Sequence, residues 1–174
     1  MTTLVKPFFN SLTSDELILK TMNEVLPEIS KFNIRVYGIF IRDQKVLMVK
    51  ENMNGHEFTK FPGGGLEFGE GLLEGLKREI REELDLDCEI GGHFYTTDFF
   101  QRSAFYKSEQ LISVYYFINI LNCPAFESFP ISFPQSQTHQ LEFFWIDIKT
   151  IGESDVTFPV DKMIVTKLKA KNQG

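Results

Sequence analysis

Between Gly64 and Leu86 the chain reads GGLEFGEGLLEGLKREIREELDL, a glycine-rich loop running directly into an acidic, amphipathic helix. Glycines at 63, 64, 65 and 69 free the backbone to approach a ligand closely or to adopt positive φ. Over residues 71–84, Leu73, Leu76, Ile80 and Leu84 recur at helical spacing and define a buried face. Glu79 and Glu83 stand four apart with Glu82 beside them. At about 100° per residue these carboxylates form one narrow stripe at the edge of that face. Like charges so placed repel one another, so a compensating partner is expected. A hard divalent cation bound through oxygen, best Mg²⁺, fits the chemistry, and a loop carbonyl is placed to complete its site. Arg78 lies four residues from both Glu74 and Glu82, in position to orient a carboxylate, whereas Lys77 and Arg81 face away. Glu70, near the helix start, is favoured by the helix dipole and can tie the loop down. Taken alone, the glutamates would read equally well as a solvated acidic face.

The full spacing is more specific. Gly64, five residues, Glu70, seven residues, then Arg78-Glu79-Ile80-Arg81-Glu82-Glu83 matches the Nudix box in all but one defined position, and Phe61-Pro62-Gly63-Gly64 resembles the family's usual entry to it. The chain resembles Nudix hydrolases over residues 34 to about 150. The departure is Asp85, where the pattern has the glycine that ends the helix. Aspartate tolerates a left-handed conformation better than most residues, so a modest stability cost is expected and the carboxylates are untouched.

The resemblance implies an α/β/α sandwich with a mixed sheet. It implies hydrolysis of a nucleoside diphosphate linked to another group, by water attack at phosphorus. It further implies Mg²⁺ or Mn²⁺ held by Glu79, Glu82, Glu83 and the Gly64 carbonyl, with Arg78 and Glu70 keeping loop and helix in register. Nucleotide-sugar, ADP-ribose-type and nucleoside triphosphate substrates stay open. Arg102 stands where many ADP-ribose pyrophosphatases carry a proline. An additional acid outside the box is not fixed: Glu127 and Glu142 are alternatives, and Thr138, His139 and Gln140 occupy the place where a carboxylate often stands. The rival reading is a catalytically silent nucleotide-binding sensor, which the presence of Glu79, Glu82 and Glu83 opposes.

Elsewhere the chain predicts a helical arm over residues 1–32 and a Nudix domain over 33–174. In the arm, Thr13 and Glu16 suit a capping box, Ile18, Met22, Val25 and Ile29 share a face, and Pro27 ends or kinks the helix. Strands are expected at 34–41 and 45–50 as a hairpin, near 93–100, at 111–121 and at 141–148, with a last helix at 160–170. A polar loop follows residue 50, and the Phe61–Gly65 stretch breaks regular structure. Residues 122–138, with Pro124, Pro130 and Pro134, read as a long loop whose Phe126, Phe129 and Phe133 suit a lid over the substrate.

Length (174 residues), a 43% hydrophobic content and 18 phenylalanines suffice for one domain core. A formal charge of −6 argues against nucleic acid as partner but not against a small nucleotide bound through a metal. Cys88 and Cys123, in no CxxC pattern, read as reduced thiols. The chain shows no signal-peptide pattern and no apolar run near the roughly 20 residues of a membrane span, so a cytoplasmic protein is expected. A homodimer through the arm is left open. The glycine spacing fails as a P-loop at Glu70 and as GxGxxG at Phe68, and His56-Glu57 fails as HExxH at Lys60. His56, His93 and His139 show no ligand spacing and are expected in surface or structural roles.

Overall fold

The computed structural model describes Thr13 and residues 28–125, 129–134 and 139–172. The expected N-terminal helix lies outside these residues. Eight strands are described: β1 (Lys31–Arg42), β2 (Lys45–Met53), β3 (His56–Lys60), β4 (Gly63–Gly65), β5 (Cys88–Thr96), β6 (Glu109–Ile120), β7 (Ile131–Pro134) and β8 (His139–Asp147). Helix α1 (Leu72–Leu84) follows β4 and helix α2 (Pro159–Asn172) follows β8. The sheet order is β5-β6-β1-β2-β8-β7, with β3 on β2 and β4 on β1. β1 and β6 run parallel from Lys31↔Glu109 to Phe40↔Ile118, and the other pairings are antiparallel, so the sheet is mixed.

Strand alternation explains the layers. Residues of opposite parity face opposite sides of a sheet. Val36 and Phe40 of β1 and Leu47 and Val49 of β2 pack with Leu76, Ile80 and Leu84 of α1. Tyr37 and Ile39, with Val46 and Met48, pack with Val160, Ile164, Val165 and Leu168 of α2. Strands buried on both faces read as near-continuous apolar runs, as 36–40 and 46–49 do. The result is the expected α/β/α sandwich. Among the described residues no helix is long and apolar enough to cross a membrane.

Two departures from the sequence reading shape the site. The segment after residue 50 is ordered sheet: β2 continues to Met53, turns at Asn54 and Gly55 with positive φ, and returns as β3. The glycine stretch also joins the sheet, as β4, through Arg35↔Gly65, Val36↔Gly64 and Tyr37↔Gly63. Glycine permits this close approach: a Cβ on Gly63 would lie 2.2 Å from the Val36 carbonyl oxygen. β1 and β2 pair only at their tips, Ile41↔Val46 and Arg42↔Lys45, and then separate. β3 and β4 line the resulting gap, carrying the chain toward α1. The 122–138 segment is likewise not all loop, because β7 pairs with β8 from Ile131↔Phe143 to Pro134↔Gln140.

Helix α1 begins at Gly71, whose N–H donates to Glu74 Oε2 at 2.9 Å. It ends at Asp85 in the left-handed conformation (φ 54°, ψ 33°), with the Asp85 N–H donating to the Arg81 carbonyl. Aspartate therefore fills the glycine position in the glycine conformation, at a cost of about 1 kcal/mol. Asp85→Gly should raise the thermal midpoint by about 2–4 °C. Thermal unfolding checks this, and an unchanged or lower midpoint contradicts it.

Candidate active site

Helix α1 and strands β1, β2 and β3 bring charged residues to one cavity of about 280 Å³, bordered by Arg35, Glu51, Lys60, Glu79, Glu82 and Glu83, with Gly64 of β4 and His139 of β8. Gly64 sits against Glu79: a Cβ there would lie 2.4 Å from Glu79 Oε2, so only glycine lets the loop backbone lie so close to that carboxylate. Arg78 stands behind the carboxylates. Its guanidinium donates to Glu70 at 2.6 and 3.1 Å, to Glu79 at 3.1 Å, to Glu82 at 3.0 Å and to the Gly65 carbonyl at 2.9 Å. Glu70 in turn accepts the Glu67 N–H at 2.7 Å. The arginine hydrogen bonds hold the Glu70 carboxyl below its ordinary range. One guanidinium thus joins loop and helix.

Glu83 is buried, and its carboxylate accepts the Gly63 N–H and the Lys60 ammonium, each at 2.8 Å. Lys60 Nζ also donates to the Gly63 carbonyl at 2.6 Å and lies 3.2 Å from Glu51 Oε2. Burial alone would lower the lysine's pKa. The charges of Glu83 and then Glu51 outweigh burial, and the net shift is upward. Glu51 Oε1 meets His139 Nε2 at 2.7 Å. Sequence spacing missed Arg35, Glu51 and Lys60. The only trace of them is the sheet itself: charged residues where strand alternation turns them inward, made inward-facing by β3 and β4, which were not foreseen. His139, expected in a surface or structural role, stands in this cavity on Glu51.

The three glutamates of the box do share the cavity, but their side chains turn to different partners. Glu83 goes to Lys60 and Gly63, while Glu79 and Glu82 go to Arg78. Among the described residues no three His, Cys, Asp or Glu side chains converge as metal ligands. The donor chemistry nonetheless fits a hard divalent cation: all the donors are oxygen. Four carboxylates (Glu51, Glu79, Glu82, Glu83) border the cavity against two cations (Arg35, Lys60). Burial, and then the charge of Glu83, push the Glu79 carboxyl up against the pull of Arg78. Burial penalises the charged form of this carboxyl first of all, and a cation bound beside it would offset that penalty.

Of the two other candidate acids, Glu142 does not join the site. Glu142 pairs in register with Lys50 and borders a separate cavity with Glu57 and Ser132. Glu127 lies outside the described residues, as does Phe126. Phe129 packs on Trp145 at 5.5 Å, against the core.

A second cavity of about 230 Å³ shares Arg35, Glu51 and Lys60 with the first and extends toward α2. At its far end Asp161 is fully buried and accepts the Tyr115 hydroxyl at 2.7 Å. Burial raises the Asp161 carboxyl from 3.8 to about 7, against the Tyr115 hydrogen bond and the charges of Lys60 and Arg35. The native state then holds a proton that the unfolded chain releases near pH 4. Stability contributed by this group is present below that pH and is lost as pH rises toward 7, at most about 1.4 kcal/mol per pH unit. Asp161→Asn should therefore gain on the parent chain between pH 4 and pH 8 in urea unfolding. A stability difference that stays constant with pH rejects the shift.

This fold, with its box helix and glycine loop, matches the NUDIX domain model over residues 32–164. The chain belongs to the Nudix family, and in class it is a pyrophosphohydrolase acting on nucleoside diphosphate-linked compounds. Among solved structures it is similar to the MutT protein of Methanosarcina mazei Go1 (17% identity, TM-score 0.63), covering 83% of this chain and 98% of that one. The E. coli ORF135 protein is similar at 19% identity and TM-score 0.59, over 82% of this chain and 91% of that one. A UDP-X diphosphatase aligns at 15% identity and TM-score 0.57, over 94% of this chain and 74% of that one. Among curated protein sequences, none matches this one.

Proposed function

We propose that the chain hydrolyses a nucleoside diphosphate linked to another group in a Mg²⁺-dependent (or Mn²⁺-dependent) reaction, with residues 33–174 as the catalytic unit and 1–32 as an added arm. In this reading the substrate is a free nucleotide derivative, not nucleic acid, and the protein works in the cytoplasm. Glu79, Glu82, Glu83 and the Gly64 carbonyl hold the ion. The observation that carries the reading is the charge of the site: the carboxylates of Glu51, Glu79, Glu82 and Glu83 outnumber the cations Arg35, Lys60 and Arg78 that meet them, and a diphosphate is repelled unless a further cation joins them. When bound, a divalent ion neutralises the diphosphate, polarises phosphorus and activates water.

The chain's own residues prepare this. Arg78 and Glu70 fix the loop against α1, so the Gly64 carbonyl and Glu79 keep their relative position. Lys60 restrains Glu83 and Glu51 and keeps their charges compensated before the ion arrives. Arg35 and Lys60 supply positive charge to the diphosphate from the wall shared by the two cavities. A panel of nucleotide sugars, ADP-ribose-type compounds and nucleoside triphosphates, incubated at fixed Mg²⁺ with product identification, tests the reading. A nucleoside monophosphate and a phosphorylated second product from a diphosphate-linked compound are expected. Absence of turnover across the panel contradicts it.

A further inference from the structure

Lys60 is a buried ammonium surrounded by oxygen acceptors. Its residue is 3% exposed, and Nζ donates to the Gly63 carbonyl at 2.6 Å and to Glu83 Oε1 at 2.8 Å. Glu51 Oε2 stands 3.2 Å away. An ammonium carries three N–H donors, so these three oxygens match its capacity. The carboxylates of the helix are not engaged alike. Glu79 and Glu82 each accept from Arg78 through one oxygen, Oε1 and Oε2 respectively. Glu83 has both oxygens engaged, Oε1 by Lys60 and Oε2 by the Gly63 N–H, each at 2.8 Å.

A divalent ion on Glu83 therefore cannot simply add to this arrangement. On Oε1 it would lie against the Lys60 ammonium, and on Oε2 against the positive end of the Gly63 N–H. Like charges that close repel, and the repulsion is least screened at a buried site. The ammonium can yield Glu83 without leaving the wall, because Glu51 and the Gly63 carbonyl remain its acceptors. We infer that Lys60 competes with the divalent ion for Glu83: it holds the carboxylate in place, gives it up when the ion binds, and stays on Glu51 and the Gly63 carbonyl. The lysine thereby sets how tightly the site takes its ion. This rests on the proposed role of Glu83 as an ion ligand. Linkage makes the effect reciprocal: the factor by which Lys60 weakens ion binding is the factor by which the ion weakens the hold of Lys60 on Glu83.

The test reads binding, not turnover. Mn²⁺ is titrated by calorimetry into the full chain and into its Lys60→Met, Glu83→Gln and doubly substituted variants. Lys60→Met should tighten Mn²⁺ by about tenfold, within the range that coupling between two sites reaches. In the Glu83→Gln background the same change should have little effect, because the contested carboxylate is gone. A general effect of removing a nearby positive charge would tighten Mn²⁺ in both backgrounds. Lys60→Met strips a buried pair of its cation, so a second readout uses the parent chain. With isotope-labelled lysine and glutamate, NMR follows the scalar coupling across the hydrogen bond from the Lys60 ammonium to the Glu83 carboxylate. Saturating Mg²⁺ should abolish this coupling, and chelation should restore it. Unchanged or weaker Mn²⁺ binding by folded Lys60→Met, equal tightening in both backgrounds, or a coupling that persists with Mg²⁺ bound overturns the inference. The two readings fail separately: a parent chain that binds no Mn²⁺ removes the metal reading itself, and Mn²⁺ bound without dependence on Lys60 removes only the competition.

Discussion

Glu83→Gln should lower kcat at least on the order of 10²-fold on any substrate the chain turns over, in line with the loss of one strong electrostatic stabiliser of the transition state. The substitution keeps size and helix propensity and removes one charge from a cavity built of carboxylates. It also changes the local bonding. Glu83 accepts from both Gly63 and Lys60, and a glutamine amide can turn only one oxygen to these two donors. Sequence reasoning alone expects the fold to be unharmed, since removing like charge from the stripe relieves repulsion. The buried pair with Lys60 reverses that sign, and a stability loss of about 1–3 kcal/mol should accompany the activity loss. Glu74→Gln is the control. Glu74 serves the helix start through the Gly71 N–H, and glutamine retains an acceptor there. Steady-state kinetics of both variants check the asymmetry, and near-normal turnover in both rejects the role of Glu83.

Lys60→Met should be among the most destabilising single substitutions in the chain. It leaves Glu51 and Glu83, both buried, facing each other without the ammonium between them, and it leaves the Gly63 carbonyl without that donor. Breaking a buried pair by removing one partner costs about 3–5 kcal/mol. Urea unfolding should show this. The double variant Lys60→Met/Glu51→Gln should recover part of the loss, because one of the two stranded charges is gone. A midpoint unaffected by Lys60→Met contradicts the electrostatic account of this wall.

These two residues also show what the sequence could and could not disclose. Glu83 is legible because its position is set within one helix, where 3.6 residues per turn fix which side chains share a face. Asp85 in the left-handed conformation follows from the same local rules, whereas the pairing of Arg78 with Glu70 and the approach of Gly64 to Glu79 join loop to helix and are what the family resemblance implies. Lys60 and Glu51 are not legible in that way. They meet Glu83 only because β1 and β2 part after their tips and β3 and β4 enter the gap, a consequence of pairing between distant segments. The same long-range pairing turns part of the proline-rich segment into β7 and turns Phe129 inward on Trp145. It places His139, unremarkable by spacing, on Glu51 in the acidic cavity.

If this cavity works through a divalent cation, as proposed, turnover must follow the ion's removal and return. Turnover of an accepted diphosphate-linked nucleotide is followed before exhaustive chelation, after it, and after Mg²⁺ is restored. We expect activity to vanish on chelation and to return with Mg²⁺ or Mn²⁺, with thermal stability rising as the ion binds and relieves the glutamate repulsion. Full turnover in the chelated protein would contradict the account.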